Sequence, residues 1–181
     1  MKTVNDGSYE DRNIGEEAEQ FEIERKFLIG YPDVRWLEDC SECTKSEITQ
    51  TYLNAPDGDE ARVRQRVTDG NYEYFHTVKR KVSGIKRVEI EHSITEDEYL
   101  QLLTNADTTK RQIRKDRYCL THEGQCFEID VYPFWNDKAI MEIELEDEDV
   151  QINTPPQIRV IKQVTDDEAY KNSSLAKMID G

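Results

Sequence analysis

The sequence lacks the features that take a protein into or across a membrane. No run of apolar residues comes near the roughly 18 that a membrane-spanning helix needs. Hydrophobic residues make up only 36% of the 181-residue chain. The first twenty residues are acidic and contain no apolar stretch, so we expect no secretory signal. These absences predict a cytoplasmic protein without a membrane partner.

Positive charge is also scarce. The chain has 24 Lys and Arg against 39 Asp and Glu, a formal net charge of −15. Because duplex phosphates reward net positive charge, we expect no nucleic-acid partner. Net charge says little about a single cleft, so a local basic pocket stays open. The sequence has no P-loop, no G-x-S-x-G and no Cys–His nucleophile pattern, which argues against those enzyme classes.

Cysteine is limited to Cys40, Cys43, Cys119 and Cys126. Without an export signal, reduced thiols are the expected state. The alternative is a zinc site built from the C-x-x-C at Cys40 and Cys43 together with the other pair. The second pair has six intervening residues and falls in a predicted hairpin, so we favour separate structural thiols.

Aromatic residues are too numerous for a disordered acidic chain, with 5 Phe, 9 Tyr and 2 Trp. At about 150 residues per domain, the length predicts a single domain. We place that domain at residues 21–181. Residues 1–20 are acidic and poor in apolar side chains, and we expect a disordered arm there.

Period-2 alternation of apolar and polar residues dominates the domain and predicts β-strands. Turn signals such as Pro56-Asp57-Gly58 and Asp69-Gly70-Asn71 separate neighbouring strands, which favours antiparallel hairpins. Helices are few, and the clearest begins with the capping box Thr95-Glu96-Asp97-Glu98. The predicted strands cover residues 21–29, 47–54, 61–68, 72–81, 86–94, 112–121, 125–132 and 139–146, and the predicted helices 33–40, 96–104 and 173–179.

The alternation also sorts charge onto one face of these strands, with apolar residues on the other. A charged face can simply meet water. However, about eight antiparallel strands are enough to close a barrel and turn one face inward. Unpaired charges cannot form a dry core, so an inward face would need water, metal ions and a polyanion. Carboxylates suit Mg²⁺ or Mn²⁺, and Arg and Lys suit phosphate oxygens, which together predict a metal–phosphate site.

Specific motifs sharpen this interpretation. Glu22-Ile23-Glu24-Arg25-Lys26 matches the ExExK signature of the CYTH family, the triphosphate tunnel metalloenzymes, and the sequence resembles that family through to residue 178. The other motifs follow in family order: Gln50-Thr51-Tyr52-Leu53, Ala61-Arg62-Val63-Arg64, Thr77-Val78-Lys79, Arg87-Val88-Glu89-Ile90-Glu91, Lys115-Asp116-Arg117-Tyr118, Phe127-Glu128-Ile129-Asp130-Val131, Glu142-Ile143-Glu144, Val164-Thr165-Asp166, and Tyr170-Lys171-Asn172 with Leu175-Ala176.

The resemblance implies a mainly β (α+β) fold, an eight-stranded antiparallel β-tunnel with a few short helices packed outside. It implies a divalent metal, Mg²⁺ or Mn²⁺, held by Glu22, Glu24, Glu89, Glu91, Asp130, Glu142 and Glu144. It also implies a phosphate-binding set of Lys26, Arg62, Arg64, Lys79, Arg87, Lys115 and Arg117, to which Lys171 is added at a variable position. Tyr52 stands where small members place a tyrosine that works with the signature lysine, so Lys26 and Tyr52 are the catalytic candidates.

From the resemblance we expect a metal-dependent hydrolase of triphosphate compounds, with inorganic tripolyphosphate as the first candidate substrate. Metal-oriented water would attack a terminal phosphoryl group, since positioning and charge neutralisation dominate phosphoryl transfer. The alternatives are a class IV-type adenylate cyclase, a thiamine or nucleoside triphosphatase, and a non-catalytic polyphosphate- or nucleotide-binding module. Homodimerisation is also open.

Two features depart from the compact family pattern. The segment 30–49 is longer, and the acidic arm precedes a motif that usually opens the chain. Trp36 and Trp135 could stack on an organic headgroup, although core or interface packing is the simpler expectation.

Overall fold

A computed structural model describes residues 23–83 and 86–178 of the chain. The backbone forms one antiparallel sheet of nine strands in the order β5-β4-β3-β2-β6-β7-β8-β1-β9. The strands are β1 (Ile23–Gly30), β2 (Cys43–Leu53), β3 (Glu60–Thr68), β4 (Asn71–Ser83), β5 (Lys86–Ile94), β6 (Ile113–His122), β7 (Gln125–Val131), β8 (Lys138–Leu145) and β9 (Val160–Gln163). The helices are α1 (Val34–Asp39), α2 (Glu96–Leu103), α3 (Asn172–Met178) and a 3₁₀ helix at Glu168–Tyr170.

The predicted fold class is confirmed, because each of the eight predicted strands overlaps an observed strand of an antiparallel sheet. The ninth strand, β9, was not predicted. It has only four residues, all exposed, and therefore shows no alternation of buried and exposed positions. It pairs with β1 across a register shift between Leu28 and Ile29. Within the described residues the sheet is not strictly closed, and β5 and β9 form its two ends.

The sheet is nevertheless strongly curled. Glu24 on β1 and Lys79 on β4 are separated by five strands in the sheet order, yet Lys79 acts electrostatically on the Glu24 carboxylate. Such an interaction requires the inner faces of the two strands to approach each other. The curl therefore turns one face of the sheet toward an interior, as a tunnel fold requires.

The outer face of the sheet holds most of the apolar core. Phe127 and Ile129 of β7 and Met141 of β8 are fully buried there, together with Leu37 of α1. Trp36 packs against the same cluster, which matches the expectation of core packing. A second outer cluster forms around Val63 and is covered by α2.

Helix α2 begins as the sequence predicts. The Thr95 hydroxyl accepts a hydrogen bond from the Glu98 backbone N–H, and the Glu98 carboxylate accepts one from the Thr95 N–H. This reciprocal capping satisfies two N–H groups that have no partner inside the helix. No helix of the described segments is long and apolar enough to cross a bilayer.

Apolar residues also cover one end of the inner face. A buried cluster is formed by Leu28, Ile140 and Tyr132 with Leu175 and Ala176 of α3. Each of the first three follows or precedes a charged tunnel residue by two positions and therefore lies on the same face of the sheet. The Tyr132 hydroxyl donates to the Asn172 side-chain oxygen at 2.6 Å and ties α3 to the sheet. Trp135 packs against this cluster with its ring centroid 5.2 Å from that of Tyr132, as expected for core packing.

We predict that Phe127→Ala lowers the free energy of unfolding by about 4 kcal/mol, because it leaves a cavity under a fully buried ring. Urea unfolding followed by circular dichroism measures this loss. Tyr72→Ala is the control, since its ring is 61% exposed on β4 and surface changes stay within about 0.5 kcal/mol. Equal losses for the two variants would contradict the outer-core assignment of Phe127.

Candidate active site

The inner face carries the charged residues of the curled sheet. Antiparallel register brings residues of opposite charge together, for example Lys26 opposite Glu142 and Arg117 opposite Asp130. Six described cations of this face are Lys26, Arg62, Arg64, Lys79, Lys115 and Arg117, and seven of its described carboxylates are Glu24, Glu89, Glu91, Glu128, Asp130, Glu142 and Glu144. We call this set the tunnel face.

One half of the tunnel face is built by β3, β4 and β5. Arg62 contacts Glu89 at 3.2 Å, and Lys79 reaches the other oxygen of Glu89 at 2.6 Å. Arg64 contacts Glu91 at 2.8 Å. The two arginine pairs are diagonal to the backbone register, so the long arginine side chains of β3 reach across β4 to β5, whereas Lys79 lies directly opposite Glu89.

Thr77 completes this half of the site. Its hydroxyl is buried on β4 and donates to Glu91 at 2.6 Å. Burial alone would raise the pKa of Glu91, but Arg64 and the Thr77 hydrogen bond hold it below its ordinary value. Glu91 is therefore an anion at neutral pH. Thr77 was not among the predicted site residues, although it stands in the T-x-K motif that contains Lys79.

The two arginines of β3 retain unused donors. The Nε atoms of Arg62 and Arg64 are buried and have no hydrogen-bond partner in the described part of the chain. A buried N–H donor without an acceptor is costly, so native structures normally supply one. Both donors belong to side chains that are mostly buried on the tunnel face. An anion with several oxygens, bound between these side chains, would satisfy them.

The other half of the tunnel face is organised by Arg117 on β6. Its guanidinium donates to both oxygens of Asp130 at 2.7 Å. It also pairs with Glu128, and it contacts Glu142 at 3.0 Å. Lys115 pairs with the same Asp130. This bidentate geometry fixes the guanidinium plane.

Burial strengthens the charge–charge interactions in this cluster and shifts the pKa values of its members. Although burial alone would raise the pKa of Asp130, Arg117 and Lys115 hold it well below its ordinary value of 3.8. Burial, reinforced by repulsion from Arg117, lowers the pKa of Lys115 to about 8. The side chains of Lys115 and Asp130 are 2% and 0% exposed. Their pair therefore lies beneath the tunnel surface and supports Arg117.

Lys26 joins β1 to this cluster. Its ammonium group contacts Glu142 at 2.8 Å and Glu24 at 3.5 Å. Burial works against its charge, but Glu142 and Glu24 raise the pKa of Lys26 above its ordinary value. Burial and repulsion from Glu142 raise the pKa of Glu24, with Lys26 and Lys79 opposing them. Lys26 is thus a firmly charged group between two carboxylates.

Tyr52, the second catalytic candidate, lies deep in the tunnel wall. Its side chain is buried, and its hydroxyl accepts a hydrogen bond from the Gln50 amide at 2.8 Å. Burial raises the pKa of Tyr52, while Arg62 and Gln50 lower it less strongly. The phenol is therefore protonated at neutral pH and can act as a hydrogen-bond donor. The contacts described for Lys26 run to Glu142 and Glu24, not to this hydroxyl.

A pocket of about 220 Å³ opens among the carboxylates. Glu128 and Cys126 line it beside three predicted site residues, and neither was predicted to be part of the site. The signal was available, since period-2 alternation places Cys126 and Glu128 on the same face as Asp130. The full lining is Glu24, Cys126, Glu128, Glu142, Ile143 and Glu144.

The remaining predicted residues have different outcomes. Glu22 lies outside the described residues, and so does the side chain of Arg87. Lys171 follows the 3₁₀ helix and pairs with Glu168. The four cysteines are free thiols. In residues 23–83 and 86–178 they form no cluster that could hold a metal, so the zinc alternative finds no support.

Fold and site together define a class: a curled antiparallel sheet whose buried face pairs carboxylates with cations and keeps donors for an anion. Residues 20–176 match the model of the CYTH domain family. The match spans most of the chain, and the chain therefore belongs to the CYTH domain family. The family suggested by the sequence motifs is confirmed.

Curated relatives agree with this membership. The chain is 35% identical over 162 residues to an inorganic triphosphatase of Nitrosomonas europaea, a match that covers 87% of this chain and 98% of the relative. It is 32% identical over 157 residues to an inorganic triphosphatase of Acetivibrio thermocellus, covering 86% and 93% of the two chains.

Solved structures agree as well. The crystal structure of an inorganic triphosphatase, 32% identical, superposes with a TM-score of 0.58 over 90% of this chain and 98% of its own. A Pyrococcus horikoshii protein, 20% identical, superposes with a TM-score of 0.51 over 70% and 81% of the two chains. The second likeness shows the fold alone.

The tunnel face also bears on the metal that the family implies. Its carboxylate donors are of the type that hard divalent cations prefer, so the donor chemistry fits Mg²⁺ or Mn²⁺. Within the described residues, however, no three Asp, Glu, His or Cys side chains are already arranged around a metal position. Six of its carboxylates, Glu24, Glu89, Glu91, Glu128, Asp130 and Glu142, instead contact neighbouring cations.

The buried cluster predicts a pH-dependent stability. Asp130→Asn leaves two buried cations short of a counter-charge and should lower the free energy of unfolding at pH 7 by about 3 kcal/mol. A carboxylate whose folded pKa is lowered contributes stability that is present above its unfolded pKa and lost as pH falls. The difference between variant and wild type should therefore shrink below about pH 3.8. Urea titrations at several pH values measure it, and a pH-independent difference would contradict the assignment.

Proposed function

We propose that this protein hydrolyses a triphosphate, with inorganic tripolyphosphate as its substrate, in a divalent-metal-dependent reaction. The observation that carries this proposal is the pair of buried, unpartnered Nε donors of Arg62 and Arg64 on the tunnel face. Two curated relatives at 35% and 32% identity are inorganic triphosphatases, which supports the same substrate.

The cations would hold the triphosphate. Arg62 and Arg64 present planar guanidinium groups, whose forked donors suit phosphate oxygens, from the β3 side. Arg117 on β6 acts electrostatically on Arg64, and Lys79 and Lys26 add ammonium groups near Glu24. A chain of three phosphates would thus meet positive charge on several sides, which lowers the cost of bringing an attacking oxygen to it. Arg87, Lys115 and Lys171 stay proposed members of the phosphate-binding set.

The carboxylates would hold the metal ion. Glu24, Glu142 and Glu144 line the pocket and lead the set, and Glu128 joins them. When bound, Mg²⁺ or Mn²⁺ would neutralise phosphate charge and orient the attacking water. Glu22, Glu89, Glu91 and Asp130 stay proposed ligands.

Lys26 and Tyr52 are the two side chains that would stabilise the reacting phosphate. Lys26 is charged between Glu142 and Glu24, and it would stabilise charge on the leaving phosphate. Tyr52 keeps its proton and can donate it in a hydrogen bond, since Gln50 already occupies one lone pair of its oxygen. Both residues would orient the phosphate and stabilise its charge. Such effects account for most catalysis of phosphoryl transfer, so the mechanism needs no covalent nucleophile.

The test of this function is a substrate panel. Phosphate release is measured from tripolyphosphate, ATP, thiamine triphosphate and pyrophosphate, each with Mg²⁺, Mn²⁺ or EDTA. We expect metal-dependent release from tripolyphosphate. Cyclic AMP from ATP would support the cyclase alternative, and tight tripolyphosphate binding without turnover would support a binding module. The predicted cytoplasmic location, the single domain at residues 21–181 with its acidic arm, and the homodimer stay proposals.

Glu24→Ala should remove most metal-dependent turnover, because it deletes a carboxylate of the pocket. Initial rates of phosphate release at saturating tripolyphosphate measure the loss. Asp116→Ala is a matched control, because its carboxylate is 41% exposed against 44% for Glu24 but pairs with Lys45 on the outer face. Activity of the Glu24 variant within about threefold of wild type would contradict its role.

Arg62→Ala should raise the KM for tripolyphosphate about tenfold, because a charge-assisted contact to the substrate is lost. Arg25→Ala is the control, since that side chain donates to the Glu148 carbonyl away from the tunnel face. Steady-state kinetics separate KM from kcat. An unchanged KM in the Arg62 variant would argue that the triphosphate lies elsewhere.

A further inference from the structure

The cations of the tunnel face are already paired with its carboxylates. Within residues 23–83 and 86–178, each of its six cations contacts at least one carboxylate of the same face. The pairing holds on both halves of the site. The tunnel face is thus internally neutralised, because each of these cations is paired with a carboxylate of the same face.

Glu142 illustrates what this means for a metal ion. One of its oxygens accepts from Lys26 at 2.8 Å, and the other accepts from Arg117 at 3.0 Å. Glu89 is engaged in the same way, with one oxygen facing Arg62 and the other facing Lys79. A divalent cation that binds either carboxylate must compete with an internal cation for it, and a buried cation displaced in this way would lose its partner.

The same pairs limit the binding of an anion. Glu89 and Glu91 hold the Nη2 groups of Arg62 and Arg64, so part of each guanidinium is already engaged by a carboxylate, while the buried Nε donors have no partner among the described residues. A triphosphate that recruits the whole guanidinium groups must pull them from these carboxylates. The carboxylates left behind would then face a polyanion, and Coulomb repulsion at such distances is large in a partly buried site.

Each ligand alone therefore leaves charges of one sign uncompensated, whereas both together compensate them. We propose that metal ion and triphosphate bind by partner exchange: the phosphates take the cations of the tunnel face, and the metal ion takes the carboxylates that those cations release. Binding is then strongly cooperative, and the coupling is reciprocal by linkage. This inference rests on the proposed function, because it assigns both ligands to the same face.

Partner exchange also accounts for a negative finding. Four described carboxylates, Glu24, Glu128, Glu142 and Glu144, line a 220 Å³ pocket, yet no three of them are arranged as metal ligands. Lys26 and Arg117 contact three of them, Glu24, Glu128 and Glu142, and hold these in other orientations. A preformed metal site would instead show converging carboxylate oxygens before any anion is bound.

The first experiment measures Mn²⁺ binding to the full chain by electron paramagnetic resonance of free Mn²⁺. Titrations are run without anion and with imidotriphosphate, an unreactive analogue, and are corrected for the Mn²⁺–imidotriphosphate complex measured without protein. We expect the analogue to tighten Mn²⁺ binding about tenfold or more. Equal Mn²⁺ affinity in both titrations would overturn the proposal.

The second experiment removes one internal cation and leaves the anion out. Lys26→Met frees an oxygen of Glu142, and Lys79→Met frees an oxygen of Glu89. Each should tighten binding of Mn²⁺ alone about fivefold, which corresponds to the loss of one competing ion pair. Lys45→Met removes the same charge from the outer-face pair with Asp116 and should leave Mn²⁺ affinity unchanged.

Unchanged Mn²⁺ affinity in both tunnel-face variants, with wild-type circular dichroism, would overturn partner exchange. An equal gain in the Lys45 variant would overturn it as well, because the effect would then be one of net charge. Tripolyphosphate hydrolysis by the wild-type protein distinguishes failure of partner exchange from failure of the proposed function. Turnover without coupling removes only this inference, whereas absence of both turnover and imidotriphosphate binding removes the proposed function too.

Discussion

The structure depends on the neutralisation of charge on the inner face of a curled sheet. Burying an isolated ion costs several kcal/mol even after relaxation, so the sheet can curl only if each buried charge meets a partner. Asp130 is 0% exposed and is contacted by both Lys115 and Arg117. Antiparallel register supplies these partners, since it places Arg117 opposite Asp130 and Lys26 opposite Glu142.

The outer face of the sheet stabilises the fold, and the inner face carries the charged groups for ligand binding. The outer face buries Phe127, Ile129 and Met141, and this burial supplies the favourable free energy of folding. The inner face contributes little, because a buried ion pair is often no more stabilising than apolar residues of the same volume. A sheet that keeps so many charges inside is therefore better explained by ligand chemistry than by stability. The free Nε donors of Arg62 and Arg64 agree with that explanation.

Much of this could be predicted from the sequence. Period-2 alternation located eight strands, and Thr95 with Glu98 marked the start of α2, because both signals are local. The short strand β9 escaped prediction, since its four exposed residues carry no pattern and its pairing with β1 depends on distant chain. Glu128 and Cys126 were also missed as pocket residues, although alternation had placed Glu128 on the charged face.

The sequence by itself determined which residues share a face, because side-chain direction in a strand follows from a two-residue repeat. It also determined the family, through the order of its charged motifs. Only the tertiary structure decided which charges meet. Arg117 reaches Glu142 across 25 positions, and Lys79 acts on Glu24 across five strands. Such contacts depend on how far the sheet curls and on its register, which the outer core and the covering helices set together.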